Sequence, residues 1–398
     1  MYFFYFYPLG VDESCRRRPV LSSVLMAVMV VAFVWRLSQR PLLGVTPEDL
    51  VFYPGHGSPW SVLTAVFVHG GWLHLLGNLL YVHALAPVLE DRLGAPQLLL
   101  YFLIAGVFGN LAHGMAAAAG WLGTAGIGVM GASGAIAGLL GFALVRLPTV
   151  GLNVAWWVFA PLVGQNRAGR TRVPIVAAVL VWVLLQAVQA LVASETGTQV
   201  SFAAHFGGFV SGLLLALLLG QVREGRADAR RAEARRYFAA GHYHAAAGGW
   251  TEYLDLRPDD LPARRELARA QILAGRTDMA RREYERVFRE HLVRKNVAAA
   301  LDVLGECERG GCGLALSPDE LNLVATYRER QLDLAGAVAV HRRLYESYPG
   351  TVAGQRALVR AISLLKNNLD RNEEAQQLLA RAARELPAGS WRGYLERT

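Results

Sequence analysis

At 398 residues, 53% hydrophobic and with a mean hydropathy of +0.27, the chain is too apolar for an ordinary soluble protein and long enough for two domains. Residues 1–222 carry 10 basic and 7 acidic side chains, and residues 223–398 carry 30 and 25. The net +8 is thus interleaved with acids at helical spacing, a solvated-face pattern that argues against a nucleic-acid partner. The three cysteines, Cys15, Cys307 and Cys312, form no even-numbered framework, and "CERGGC" has no second pair for zinc. Buried or free thiols are expected, with no metal or organic cofactor.

The N-terminal "MYFFYFYPLGVDESCRRR" lacks the basic-then-apolar order of a signal peptide and reads as an interfacial lead-in. Six apolar runs then begin near Pro19, Ser61, Pro96, Gly126, Pro174 and Ser201. Each is long enough to cross ~30 Å of hydrocarbon, which takes about 20 residues. The shorter patch "LNVAWWVFAPLVGQ" reads as an interfacial or re-entrant segment. Basic residues near span ends stay cytoplasmic. They collect at Arg16, Arg17 and Arg18, at Arg92, at Arg146, Arg167, Arg170 and Arg172, and at Arg223 and Arg226, with Arg36 and Arg40 against the pattern. Both termini are therefore expected in the cytoplasm, with spans 2, 4 and 6 running from outside to inside.

In the fourth run, "GVMGASGAIAGLLGFALV", Ser133 is the only side chain that hydrogen-bonds. Helix packing by a small residue would account for it alone. The expected topology, however, sets Ser133, His205 near the start of span 6, and His74 and Asn78 in span 2 at a similar depth below the outer face. Polar groups at membrane depth are costly unless they face the bundle interior or a water-filled cavity, so their gathering at one level points to a functional site. Gly134 and Gly138 line one helix face, Gly208 and Gly212 another. Such rows let helices meet backbone to backbone, although they also occur where helices merely pack. Along these faces Ser133 and His205 come within side-chain reach. Histidine can accept the proton that makes a serine hydroxyl nucleophilic. No Asp or Glu lies in spans 4 or 6, so the expected arrangement is a dyad, its imidazole held by packing or a neighbouring hydrogen bond. His74 and Asn78, at i and i+4, and the Ser133 backbone N–H are candidate oxyanion donors. His83, Asn110 and His113 are expected in interhelical hydrogen bonds or at interfaces. Trp72, Trp121, Trp156 and Trp157 are expected as interface anchors.

"FVHGGWLHLLGNLLYVHALAPVLEDRLG", "GASGAIAGLLGFAL" and "AAHFGGFVSGLL", in this order over residues 50–220, resemble the rhomboid family of intramembrane serine proteases. The resemblance implies Ser133 as nucleophile, His205 as general base and acid, and His74 and Asn78 as oxyanion stabilisers. His69, Gly70, Gly71 and Glu90 match recurrent, structural positions of the family. Ala137 stands where family members often carry an aromatic that stacks on the histidine, so Phe206 or Phe202 would have to fix the ring. "LAPVLE" replaces the "FG" that often precedes the loop glutamate.

After Arg223 charged helices follow. Gly241 and Gly275, Ala246 and Ala280, Trp250 and Tyr284, and Tyr253 and Val287 are each 34 apart. Ala337 with Pro349 and Ala375 with Pro387 keep the spacing of Ala246 with Pro258. This resembles a tetratricopeptide-type solenoid of four degenerate units, disrupted near "ERGGCGLALSPDE". Its basic residues Arg226, Arg230, Arg231, Arg235 and Arg236 either touch anionic lipid or line a solvated face.

The expected architecture is all-α: a six-transmembrane-helix bundle, residues 1–222, followed by a cytoplasmic helical-repeat solenoid, residues 223–398. The expected activity is serine endopeptidase cleavage of transmembrane substrates in the lipid bilayer, and the resemblance to bacterial members implies a cytoplasmic membrane. A cytoplasmic protein partner is expected for the solenoid, and "ASETGTQVS" is a candidate gate. Rival readings are a non-catalytic relative that escorts membrane clients and a transporter. The transporter lacks the internal repeat and intramembrane charge it would need.

Overall fold

The computed structural model describes all residues except 1–2, 13–14, 16–17, 121–125, 127, 161–163, 197–200 and 386–398. Arg16, Arg17, Trp121, Pro387 and the centre of the candidate gate therefore lie outside the described residues. The chain divides into two compact units, residues 1–229 and 230–398.

The first unit contains β1 (Phe3–Val11), α1 (Val20–Ser38), the one-turn α2 (Ser61–Thr64), α3 (Trp72–Leu93), α4 (Ala95–Ala118), α5 (Ser133–Arg146), β2 (Gly151–Ala160), β3 (Gln165–Pro174), α6 (Ile175–Thr196) and α7 (Phe202–Leu218). It is mostly helical, not all-α. The N-terminal lead-in and the tryptophan-rich patch are strands of one antiparallel sheet in the order β1-β2-β3, with Tyr7 opposite Ala155 and Ala155 opposite Arg170. Aromatic and β-branched residues favour strands, and pairing satisfies backbone groups that a lone interfacial segment would leave to water.

Three helices among the described residues, α1, α3 and α4, are long and apolar enough to cross a membrane. A fourth candidate joins α7 to α8 (Gln221–Ala239) through a 76° bend, while α5 and the Ile175–Leu191 part of α6 are shorter apolar helices. Two expected runs start later than their composition suggests. The second is broken after α2 by a 3-10 turn (Ala65–Phe67) and resumes at Trp72. The fourth starts at Ser133 because the preceding chain is extended, with Val129 and Phe52 exchanging both backbone hydrogen bonds at 2.8 and 3.1 Å.

Met29 and Phe33 of α1, Leu85 and Leu89 of α3, Phe102 of α4 and Phe142 of α5 fill the core. Near the end of α3, buried Glu90 accepts hydrogen bonds from the Leu21 and Ser22 N–H groups and the Ser22 hydroxyl, at 2.9, 2.8 and 2.6 Å. A carboxylate there satisfies donors that a helix start leaves open. Arg92 and Arg146 both pair with Asp228, at 3.2 and 2.7 Å, so the C-terminal ends of α3 and α5 lie on one side. Arg36, which departs from the charge pattern, pairs with Glu48.

In the second unit follow α9 (Tyr243–Leu256), α10 (Leu261–Leu273), α11 (Thr277–Val293), α12 (Val297–Arg309), α13 (Pro318–Arg330), α14 (Leu334–Ser347), α15 (Val352–Asn367) and α16 (Asn372–Glu385). Ala246, Trp250 and Tyr253 on α9 are buried, as are their 34-residue counterparts Ala280, Tyr284 and Val287 on α11. The interrupted stretch is a loop between α12 and α13, closed by a capping box of Ser317 and Glu320. Cys307 in the last turn of α12 and Cys312 in this loop are both buried, but they are joined as a disulfide and are not free thiols. A turn brings the chain back within five residues, Cys312 N–H bonding to the Cys307 carbonyl at 3.0 Å, which closes a gap that spacing alone leaves open.

Candidate active site

Ser133 is the first residue of α5, and His205 lies in the first turn of α7. These helices meet with no side chain between them: a Cβ on Gly208 would stand 2.0 Å from the Gly134 carbonyl oxygen, and one on Gly212 would stand 1.9 Å from that of Gly138. The glycine rows on both sides are therefore sterically required. Backbone approach at this range brings the two side chains together, with His205 Nε2 2.8 Å from Ser133 Oγ.

The imidazole is held from its other side. His205 Nδ1 donates to Gln186 Oε1 of α6 at 2.7 Å, which leaves Nε2 as the acceptor for the serine hydroxyl. Trp182, one turn before Gln186, has its ring centroid 6.2 Å from that of His205, and Phe202 presents an edge at 6.4 Å. Of the two aromatics named by the sequence, Phe202 meets the ring edge-on, while Phe206 is 68% exposed and lines the same cleft as His205. Gln186 is missed when acids alone are sought. Its signal is that Gln186 and Gln189 are the only hydrogen-bonding amides in the apolar run from Ile175 to Val192.

His74 and Asn78 sit in the first two turns of α3 and face the chain just before Ser133. A Cβ on Gly131 would lie 2.5 Å from His74 Nε2 and 3.4 Å from Asn78 Nδ2, and Gly131 has φ +111°, a conformation that favours glycine. Asn78 is 6% exposed, and its buried Nδ2 has no partner among the described residues. An unpaired buried donor is costly, so its persistence beside a serine points to an acceptor supplied from outside. The start of α5 has no side-chain cap, leaving first-turn N–H groups open at Ser133. His69 packs its ring 5.2 Å from that of His74.

Other polar residues serve position. Asn110 of α4 donates to the Val62 carbonyl at 2.8 Å, and buried His113 meets Ser201 Oγ at 2.6 Å. Ser201 in turn accepts the Ala204 N–H and caps α7, so α4 sets the start of the helix that carries His205. His83 is exposed. A cleft of about 570 Å³ between α4, α6 and α7 opens at the dyad, lined by Ala116, Trp182, Gln186, Phe202 and His205.

The serine and histidine brought together from two glycine-packed helices, with the unpaired amide beside them, lie in a region that is similar to known proteins. Residues 56–222 match the Rhomboid domain. RHOMBOID-like protein 5 of Arabidopsis thaliana is 28% identical over 163 residues, 41% of this chain and 45% of its own length. RHOMBOID-like protein 1 of the same plant is 31% identical over 206 residues, 50% and 46%. The Bacillus subtilis protein YdcA, provisionally named a rhomboid protease, is 26% identical over 171 residues, 43% of this chain and 72% of its own. The chain thus spans under half the length of the two plant relatives. Dyad, amide donors and α6 glutamine all fall inside the rhomboid-matched region.

Proposed function

We propose that this protein is an intramembrane serine endopeptidase that cleaves transmembrane segments through Ser133 and His205. The observation that carries the reading is the 2.8 Å contact between Ser133 Oγ and His205 Nε2, with Nδ1 engaged by Gln186. In that tautomer His205 takes the hydroxyl proton as Ser133 Oγ attacks the scissile carbonyl, then gives it to the leaving amine as the C–N bond breaks. Water, deprotonated by the same imidazole, attacks the resulting ester and releases the second product. Asn78 Nδ2, His74 and the Ser133 N–H donate to the tetrahedral oxyanion.

The substrate is a membrane helix that unwinds near the outer face, since an intact helix ties up its scissile carbonyl. Six spans with both termini in the cytoplasm complete this reading, and the matched domain and apolar helices support a membrane setting. The 34-residue spacing and its buried counterparts support a tetratricopeptide-like second domain that recruits a cytoplasmic protein partner. Purified protein incubated with a model transmembrane substrate is expected to cleave it, and Ser133→Ala and His205→Ala are each expected to abolish cleavage. Cleavage that persists in the serine variant refutes the reading.

A further inference from the structure

The sheet of the first unit is not used by the chemistry above, and its placement is specific. Its chain connections all enter at one end of the helix bundle. Asp12 precedes α1, Gly151 follows α5, and β3 passes into α6 at Ile175 with no linker. The base is tied there: Asp12 N–H bonds to the Gly151 carbonyl, Ile175 N–H to that of Val150, and Asp12 pairs with Arg172. Leu152 and Val154 are buried against Ala84 of α3 and Ala178 of α6. Ala84 lies nine residues before the end of α3, about 14 Å along its axis. The sheet therefore packs against the C-terminal half of α3, the half that ends in the charged Glu90, Asp91 and Arg92, and against the first turn of α6.

The face turned away from α3 has a mixed composition. Register places Tyr7, Ala155 and Arg170 across one row and Trp157 and Ala168 across the next. Tyr7 is 45% and Trp157 40% exposed. Arg170 is exposed on this face and Arg167 on the edge strand's other face. Neither arginine has an acidic partner among the described residues. Amphipathic aromatic rings collect at membrane interfaces, and arginines beside them bind phosphate.

We propose that this sheet is a membrane-surface anchor, with Trp157 and Tyr7 set in the headgroup layer and Arg167 and Arg170 binding the phosphates of anionic lipids. The inference rests on the membrane-spanning reading of the helices. Because β3 continues directly into α6, the anchor also holds the helix that carries Gln186.

The test uses the full chain in lipid nanodiscs, with Cys15→Ser removing the accessible thiol and a fluorophore on Trp157→Cys. Nitroxide on the lipid headgroup is expected to quench this label, and nitroxide-labelled phosphatidylglycerol is expected to quench it more than labelled phosphatidylcholine. In Arg167→Gln/Arg170→Gln that preference is expected to fall by about fivefold per arginine. Equal quenching by the two lipids overturns the anionic-lipid assignment. Free quenching by aqueous iodide with none by lipid overturns the anchor and leaves the face to a protein partner. A second label on Val31→Cys, exposed in mid α1, must be quenched by acyl-chain nitroxide. If that fails, the spanning reading has failed; if only the Trp157→Cys label fails, the anchor has failed alone.

Discussion

On the proposed protease reading, Gly208→Ala is expected to lower cleavage steeply while leaving the chain folded. The added methyl carbon would stand 2.0 Å from the Gly134 carbonyl oxygen, whereas carbon and oxygen settle at about 3.3 Å. The helices must therefore part by roughly 1.3 Å. Taken along the dyad, that movement stretches the 2.8 Å Ser133–His205 contact to about 4 Å, beyond hydrogen bonding. A misplacement of about 1 Å costs on the order of 100-fold in rate, or about 2.7 kcal/mol of barrier. Initial rates of cleavage of a fluorogenic transmembrane peptide in proteoliposomes give the loss, and thermal unfolding of the same samples reports the fold. Gly77→Ala is the matched control, since a Cβ there meets nothing within 4 Å. Retention of activity within twofold in Gly208→Ala refutes the claim that bare backbone contact builds the site.

Further outcomes follow from single groups. Asn78→Ala is expected to lower kcat by about 100- to 1,000-fold with KM little changed; an unchanged kcat removes Asn78 from the oxyanion site. Gln186→Leu leaves the His205 Nδ1–H unpaired and is expected to lower kcat on the order of tenfold, with Gln186→Glu restoring part of it. Glu90→Gln is expected to destabilise the first unit by about 2 kcal/mol, because three donors lose an anionic acceptor; an unchanged unfolding midpoint in detergent contradicts this. In the second unit the Arg360 guanidinium holds the Glu329 carboxyl below its ordinary pKa of 4.5, with burial opposing. A folded pKa below the unfolded one stabilises in full above the unfolded value, and the contribution is lost as pH falls through the folded value. The hydrogen-exchange protection of α13 and α15, corrected for intrinsic exchange rates, is therefore expected to fall below pH 4.5 in the parent protein and to be less pH-dependent in Glu329→Gln.

The helices of the first unit are legible as apolar runs, although not in where they start, and the glycine rows are legible because spacing alone puts them on one face. Ser133, His205, His74 and Asn78 stand out because a polar side chain in an apolar run has few uses. Other features stay hidden in the chain. Gln186 is equally isolated, but only the approach of α6 to α7 turns its amide into the partner of His205. The start of α5 depends on Val129 pairing with Phe52, a contact between residues more than seventy positions apart. The β1 and β2 segments read as two separate interfacial stretches, since neither can satisfy its backbone alone.

Sequence by itself determined which segments prefer lipid, which faces can touch, and which side chains have reactive chemistry, because those properties belong to local composition and period. Tertiary structure alone decided where helices begin and end, that two aromatic stretches make one sheet, and which atom of His205 meets serine. Each of these depends on a hydrogen bond or steric contact between segments far apart in the chain, and no local pattern encodes it.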